Sequence, residues 1–196
     1  MKICLLIPAN KPIRPKTVKS LMDMIAVSPY EFLVILAEEG YTPSEKRNYG
    51  IVRSLNENCD YIFFVDDDMV FPPETLTTLI ERNKDIIGGL YFMKHEPLIP
   101  VVELEGEIKT ELFRVNGTGA GLLLCKTEIF KKIRGPWFET RVDGIGKTLV
   151  GDSYCFCENA REFGYEIWCD PSLGIKHLGE TLYGKNSIGD SVQSAN

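Results

Sequence analysis

Three consecutive carboxylates, Asp66, Asp67 and Asp68, follow the apolar run Tyr61-Ile62-Phe63-Phe64-Val65. Like charges at that spacing repel, and no basic residue stands beside them in the sequence to relieve them. A divalent cation is the natural counter-charge, and hard carboxylate oxygens suit Mg2+ or Mn2+. If extended geometry persists past Val65, residues two apart point the same way. Asp66 and Asp68 are then the expected metal pair, and Asp67 faces opposite. A cation held by two carboxylates keeps open positions for diphosphate oxygens and offsets charge on a diphosphate leaving group. The competing reading is a solvated acidic turn after a core strand.

The elements that must position these acids can be read around them. An uninterrupted aromatic and β-branched run reads as a strand buried on both faces, which belongs in a parallel sheet. Ligands collect outside the carboxyl ends of such strands, where the acids stand. Before them come a strand over 3–7 stopped by Pro8, and a helix over 17–27 with Val18, Leu21, Met22 and Ile25 on one face. A strand over 32–36 follows. Thr42-Pro43-Ser44-Glu45 is a capping box with proline at the first helical position, opening a helix over 42–56. After the acids come a helix over 72–82 and a strand over 85–92. This alternation predicts a three-layer α/β/α, Rossmann-like architecture around a mostly parallel sheet.

The second half reads differently. Strands are expected over 99–104 and 112–116, on either side of a polar hairpin, and over 122–125. Thr127 is expected to cap a short helix, and 135–150 to form a functional loop. A helix over 151–163 should turn Phe156, Ala160 and Phe163 inward and end at Gly164. Strands over 165–169 and 174–177 close the pattern. Residues 1–183 read as one domain, with 1–92 and 93–183 as its two halves, and 184–196 as a mobile polar tail.

Composition limits the function. A chain of 196 residues, 44% hydrophobic and 26% charged, is long enough for one real core. The net charge of −6 argues against nucleic acid or an anionic membrane as a general partner. The six cysteines lie mostly in apolar surroundings without a C-x-x-C pair, so zinc is not expected and reduced cytoplasmic thiols are. The run over 3–7 is too short for a signal sequence or a transmembrane segment.

The run Phe64-Val65-Asp66-Asp67-Asp68-Met69 resembles the D-x-D motif of nucleotide-sugar-dependent glycosyltransferases of the GT-A fold, most closely the inverting family-two enzymes. Other segments fall in that family's order across residues 3–179. Leu6-Ile7-Pro8-Ala9 resembles the end of its first strand, bordering the nucleoside. Glu38-Glu39-Gly40 resembles its base-reading acidic pair, and Arg47-Asn48 the pair that begins the helix before the acidic strand. Gly117-Thr118-Gly119 resembles its glycine-rich acceptor segment. Gly151-Asp152-Ser153, with Arg161 and Gly164 after it, resembles the catalytic-acid segment. His177 resembles a late histidine that some members use as a third metal ligand beside Asp66 and Asp68. The short chain suits a minimal viral or archaeal member, working in the cytoplasm (the host's, if virally encoded).

The resemblance implies transfer of a sugar, with inversion, from a nucleotide-diphosphate sugar to a hydroxyl on a glycan, lipid or protein acceptor. Asp152 is then the general base that takes the acceptor proton, or it only caps its helix; Asp143 is the reserve. Arg47 pairs with the diphosphate or with Asp66, or lies on a solvated helix face. Glu38 and Glu39 accept from the nucleotide, or merely end a strand. Trp137 and Phe138 form an apolar platform for an acceptor sugar, or pack structurally. His177 binds metal, or is satisfied by backbone. A nucleotidyltransferase shares the sheet and the acids, but it needs a glycine-rich loop after the first strand, where this chain has Pro8-Ala9-Asn10-Lys11-Pro12. A non-catalytic nucleotide-sugar-binding protein is the third reading.

Overall fold

The computed structural model describes residues 1–9, 11–38, 40, 42–179 and 182–184. Glu39 and the tail beyond 184 lie outside the described residues. Strand β1 (Lys2–Ile7), helix α1 (Pro15–Val27), strand β2 (Glu31–Leu36), helix α2 (Pro43–Asn56) and strand β3 (Tyr61–Val65) follow the expected alternation. The short strand β4 (Met69–Val70), helix α3 (Thr75–Glu81) and strand β5 (Ile86–Gly89) complete the first half. The second half holds β6 (Val102–Glu103), β7 (Phe113–Val115), β8 (Gly117–Thr118), β9 (Leu122–Lys126), α4 (Glu128–Lys132), β10 (Arg141–Val142) and β11 (Thr148–Val150). It ends with α5 (Asp152–Glu162), β12 (Ile167–Asp170), β13 (Lys176–Leu178) and β14 (Leu182–Gly184).

The central sheet has seven strands in the order β2-β1-β3-β9-β5-β12-β7. Five run one way; β9 and β7 run opposite to their neighbours. The sheet is covered on both faces, which makes the fold the expected Rossmann-like GT-A type. Ile3, Leu5, Phe63 and Val65 pack with Leu21, Met24, Leu76 and Leu79 beneath α1 and α3. Cys4, Leu6, Ile62 and Phe64 point the other way, toward Ile51, Phe130, Phe138 and Phe156. That period-2 split explains why β1 and β3 are apolar without interruption. All six cysteines are buried and free.

Several local expectations are corrected. The buried face of α1 is Thr17, Ser20, Leu21 and Met24, while Met22 is 65% exposed. Hydrophobicity alone pointed to the wrong stripe because a small polar residue is needed inside: the Ser20 hydroxyl accepts from the Phe71 N–H at 3.2 Å. Thr127 stands at the start of α4 but makes no side-chain cap, and its hydroxyl is buried without a partner. Phe163 falls after the last turn of α5 and is exposed, while Gly164 takes φ +85°, a left-handed conformation suited to a helix end. The strands around the polar hairpin do not pair with each other. β6 joins β8, and β7 joins β12. The expected loop over 135–150 contains the hairpin β10–β11.

Candidate active site

The acids leave β3 in a turn. Asp66 N–H continues the ladder to the Gly121 carbonyl at 2.9 Å, and the Asp66 carbonyl then accepts from Met69 N–H at 3.4 Å. Extended geometry therefore stops at Asp66, and each of the three carboxylates meets a different partner, although all three border one cavity. Asp67 Oδ2 accepts from the Lys11 N–H at 3.3 Å, and its carbonyl accepts from Arg14 N–H at 2.9 Å, fixing the loop that follows β1. Asp66 meets Arg47, and Asp68 meets Lys94 and His177. The repulsion that suggested a metal is thus relieved in part by the chain's own cations, brought from distant positions.

Arg47 sits in the second turn of α2, whose capping box forms as expected. Its Nη2 donates to Asp66 Oδ1 and its Nη1 to Asp152 Oδ2, each at 2.7 Å. Its guanidinium lies 5.6 Å from the centroid of the Phe138 ring. Burial opposes the charge, but Asp66 and Asp152 outweigh it and raise the guanidinium pKa above its ordinary value. The remaining Nε–H is buried without a partner. Of the roles left open, Arg47 takes the pairing with Asp66, and adds Asp152.

Asp152 is the first residue of α5, a position that favours an anion. Beside Arg47, its Oδ2 accepts from the Ser44 hydroxyl at 3.1 Å. Its Oδ1 accepts from Ser153 N–H at 2.7 Å and from the Ser153 hydroxyl at 3.2 Å. The helix cap itself is Gly151.

Asp68 Oδ1 lies 3.2 Å from His177 Nε2, and its Oδ2 contacts the Lys94 ammonium. His177 Nδ1 lies 2.9 Å from the Phe92 carbonyl, so Nδ1 carries the proton and donates. Nε2 consequently faces a carboxylate oxygen, an arrangement that wants a cation, proton or metal, between the two. Burial works against Asp68, but hydrogen bonds from His177 and Lys94 outweigh it and hold its carboxyl below the ordinary value. Asp170 is likewise held low: burial is overcome by Ser172 and by Arg82 at 2.7 Å. Carboxyls depressed in the fold stabilise it above the ordinary carboxylate range, and that contribution goes as pH falls through the depressed values. The melting temperature should therefore drop steeply below about pH 4, and Asp170→Asn should flatten that acid limb. An unchanged limb in the variant would contradict the assignment.

Two adjoining cavities flank the Arg47–Asp66 pair, which lines both. One, of about 250 Å³, is bordered by Pro8, Lys11, Asp67, Asp68, Lys94 and His177. The other, of about 440 Å³, is bordered by Ser44, Tyr91, Gly119, Gly121, Asp152 and Tyr154. A further hollow of about 320 Å³ beside Arg114 and Tyr165 shares no lining residue with either.

The other expected site residues fall as follows. Pro8 is buried at the edge of the first cavity, and the Ala9 carbonyl accepts from the buried Lys46 ammonium at 2.7 Å. Glu38 is exposed and lines neither cavity; Glu39 is not described. Asn48 holds the loop after α4: it accepts from Trp137 and Phe138 N–H at 3.0 and 3.1 Å and donates to the Phe138 carbonyl at 2.7 Å. Trp137 donates its indole N–H to Ile133 and packs edge-on against Phe130. Phe138 is buried against Phe156, with ring centroids 4.9 Å apart. Neither ring lines either of these two cavities, and both pack against the aromatic core. Gly117 and Thr118 are buried in β8 and line no cavity, whereas Gly119 does. A Cβ on Gly119 would stand 2.2 Å from the Tyr91 hydroxyl, which itself accepts from Gly121 N–H at 3.0 Å. Those glycines make room for Tyr91. Asp143 accepts from Ile145 and Lys147 N–H within its hairpin.

Sequence reasoning missed Ser44, Tyr91 and Lys94. Ser44 was seen only as part of a capping box, and nothing local marks the other two. Among the described residues, no three His, Cys, Asp or Glu side chains are grouped to hold a metal. Asp68 Oδ1 and His177 Nε2 face each other at 3.2 Å, two donors of the kind a divalent cation takes. Asp66 is turned toward Arg47.

No family model matches the chain. It is 36% identical over 77 residues to procollagen-lysine,2-oxoglutarate 5-dioxygenase 2 of Mus musculus and of Homo sapiens. The match takes in 38% of this chain and 10% of the relative, so the chain spans about a tenth of the length of these curated relatives. Among solved structures, A197 from STIV is similar over 93% of this chain and 89% of its own, with a TM-score of 0.67 and 21% identity. The inositol-1-phosphate CTP transferase from T. maritima is similar over 99% and 94%, with a TM-score of 0.55 and 14% identity. At these identities the likeness is one of fold. No helix among the described residues is long and apolar enough to cross a membrane.

Proposed function

We propose that this chain is a glycosyltransferase that moves a sugar from a nucleotide-diphosphate sugar to an acceptor hydroxyl with inversion. The observation that carries this reading is the Asp66–Arg47–Asp152 bridge, which joins a cavity lined by acids, lysines and an imidazole to one lined by a carboxylate and tyrosines. The donor diphosphate lies in the first cavity, beyond the carboxyl ends of β1 and β3. Asp68 and His177 would hold Mg2+ or Mn2+ there, and the bound ion would supply positive charge against the leaving diphosphate. Asp66 is kept in place by Arg47 at the boundary with the acceptor. Asp152 takes the acceptor proton as that oxygen attacks the anomeric carbon from the face opposite the diphosphate. A carboxylate offers about four acceptor sites, and Asp152 already receives four donors. The acceptor hydroxyl therefore displaces one of them, and the freely rotating Ser44 hydroxyl is the simplest to exchange.

Nucleotidyl transfer is the second reading, because the T. maritima CTP transferase has the same fold. Against it, the loop after β1 has no glycine, and the Ala9 carbonyl is tied to Lys46. Calorimetry with a panel of UDP-, GDP-, CDP- and ADP-sugars, with and without manganese, tests the proposal. Manganese should tighten binding of one class by at least about tenfold in the native protein and not in Asp68→Asn. Nucleoside diphosphate as the released product supports sugar transfer; pyrophosphate supports nucleotidyl transfer. Failure to bind any of the panel would sink both.

A further inference from the structure

The Asp68 carboxylate is flanked by an imidazole and an ammonium that differ in how firmly they are held. His177 is fixed by its bond to the Phe92 carbonyl and by edge-on packing against Tyr91, with ring centroids 5.4 Å apart. Lys94 sits on the other carboxylate oxygen at the end of a flexible stem. Its segment, residues 93–97, is exposed, and the side chain is 34% exposed. An ammonium on Oδ2 and a divalent cation on the Oδ1 side facing His177 would share one carboxylate and repel at that range. Withdrawal of Lys94 therefore favours metal at Asp68. The displaced ammonium still borders the same cavity, where an incoming diphosphate would present oxygens to it.

We propose that Lys94 is a tethered counter-cation of Asp68: a divalent metal displaces it, and it then binds the diphosphate of the nucleotide ligand. The identity of that ligand rests on the transferase reading. Lys94 in this role weakens metal binding to the free protein and strengthens diphosphate binding once metal is present. Metal and nucleoside diphosphate consequently bind with positive coupling, each favouring the other by the same factor. The device also keeps Asp68 neutralised between turnovers, so the acids do not need a resident metal.

Titration of manganese, followed by the paramagnetic resonance of the free ion, tests this without any turnover. Native protein and Lys94→Met are compared alone and with GDP or UDP, and Lys94→Gln serves as a second variant. Lys94 lies on an exposed loop, and circular dichroism with thermal melting checks that the variants are folded. Without nucleotide, Lys94→Met should bind manganese at least about tenfold more tightly than the native protein, about 1.4 kcal/mol. The strengthening of manganese binding by the diphosphate should shrink by at least a similar factor. Adding Asp68→Asn to Lys94→Met should remove the gain. Equal manganese affinity in native and variant proteins, or no manganese bound by either, overturns the proposal. Failure of the transferase reading shows itself separately, as no nucleotide-sugar bound or consumed, and leaves the manganese comparison intact.

Discussion

Asp152→Asn should lower turnover by at least about a hundredfold, the scale of a lost general base, while the donor still binds. The substitution keeps the shape of the side chain and removes its ability to take a proton. It also leaves one acceptor oxygen where two oxygens now serve opposite groups, Arg47 and Ser44 on one side and Ser153 on the other. One set of donors must then face an amide NH2, which costs about 1–3 kcal/mol of stability. Donor binding by calorimetry, turnover by release of nucleoside diphosphate, and a melting curve separate the two effects. A folded variant that turns over at close to the native rate would remove Asp152 from the base role. Ser44→Ala, by contrast, removes only the exchangeable donor and should leave most activity.

Arg47→Met should be the most damaging substitution outside the aromatic core. It strips the counter-charge from Asp66 and Asp152 at once. Breaking a fully buried pair typically costs about 3–5 kcal/mol, and because Asp66 is 32% exposed we expect the lower end, about 3 kcal/mol. For a chain of this size that is a fall in melting temperature of about 6–12 °C. Turnover should fall by more than stability explains, because Asp152 loses the group that orients it. Arg47→Lys should recover only part of either property, since one ammonium cannot reproduce a fork that reaches two carboxylates. A melting temperature unchanged in Arg47→Met would show that the bridge contributes nothing to the fold.

The readable part of this chain is the part encoded locally. Thr42-Pro43-Ser44-Glu45 specifies its helix start through contacts three residues apart, and both halves of the box form. The period-2 faces of β1 and β3 are written in their own residues. The position of the acids at the end of a core strand follows from that strand. What was not legible depends on residues that meet only after folding. The partners of Asp68 lie at 94 and 177, and that of Asp66 at 47. Nothing in the acidic run distinguishes relief by such partners from relief by a metal. The expected same-side alignment of Asp66 and Asp68 assumed strand geometry where the chain turns. Trp137 and Phe138 looked like a platform because their packing against Phe130 and Phe156 is a tertiary fact.

Strand β9 lies between β3 and β5, antiparallel to both, although it is drawn from the second half of the chain. As the chain leaves the ribosome, the first half therefore emerges with the facing edges of two apolar strands bare. Such edges template association with other chains, and closing them requires contacts distant in sequence, which form slowly. A truncation after residue 92 would produce a sticky fragment and not a nucleotide-binding module. The two halves of the chain are thus interleaved in one sheet and cannot be separated without breaking strand pairs.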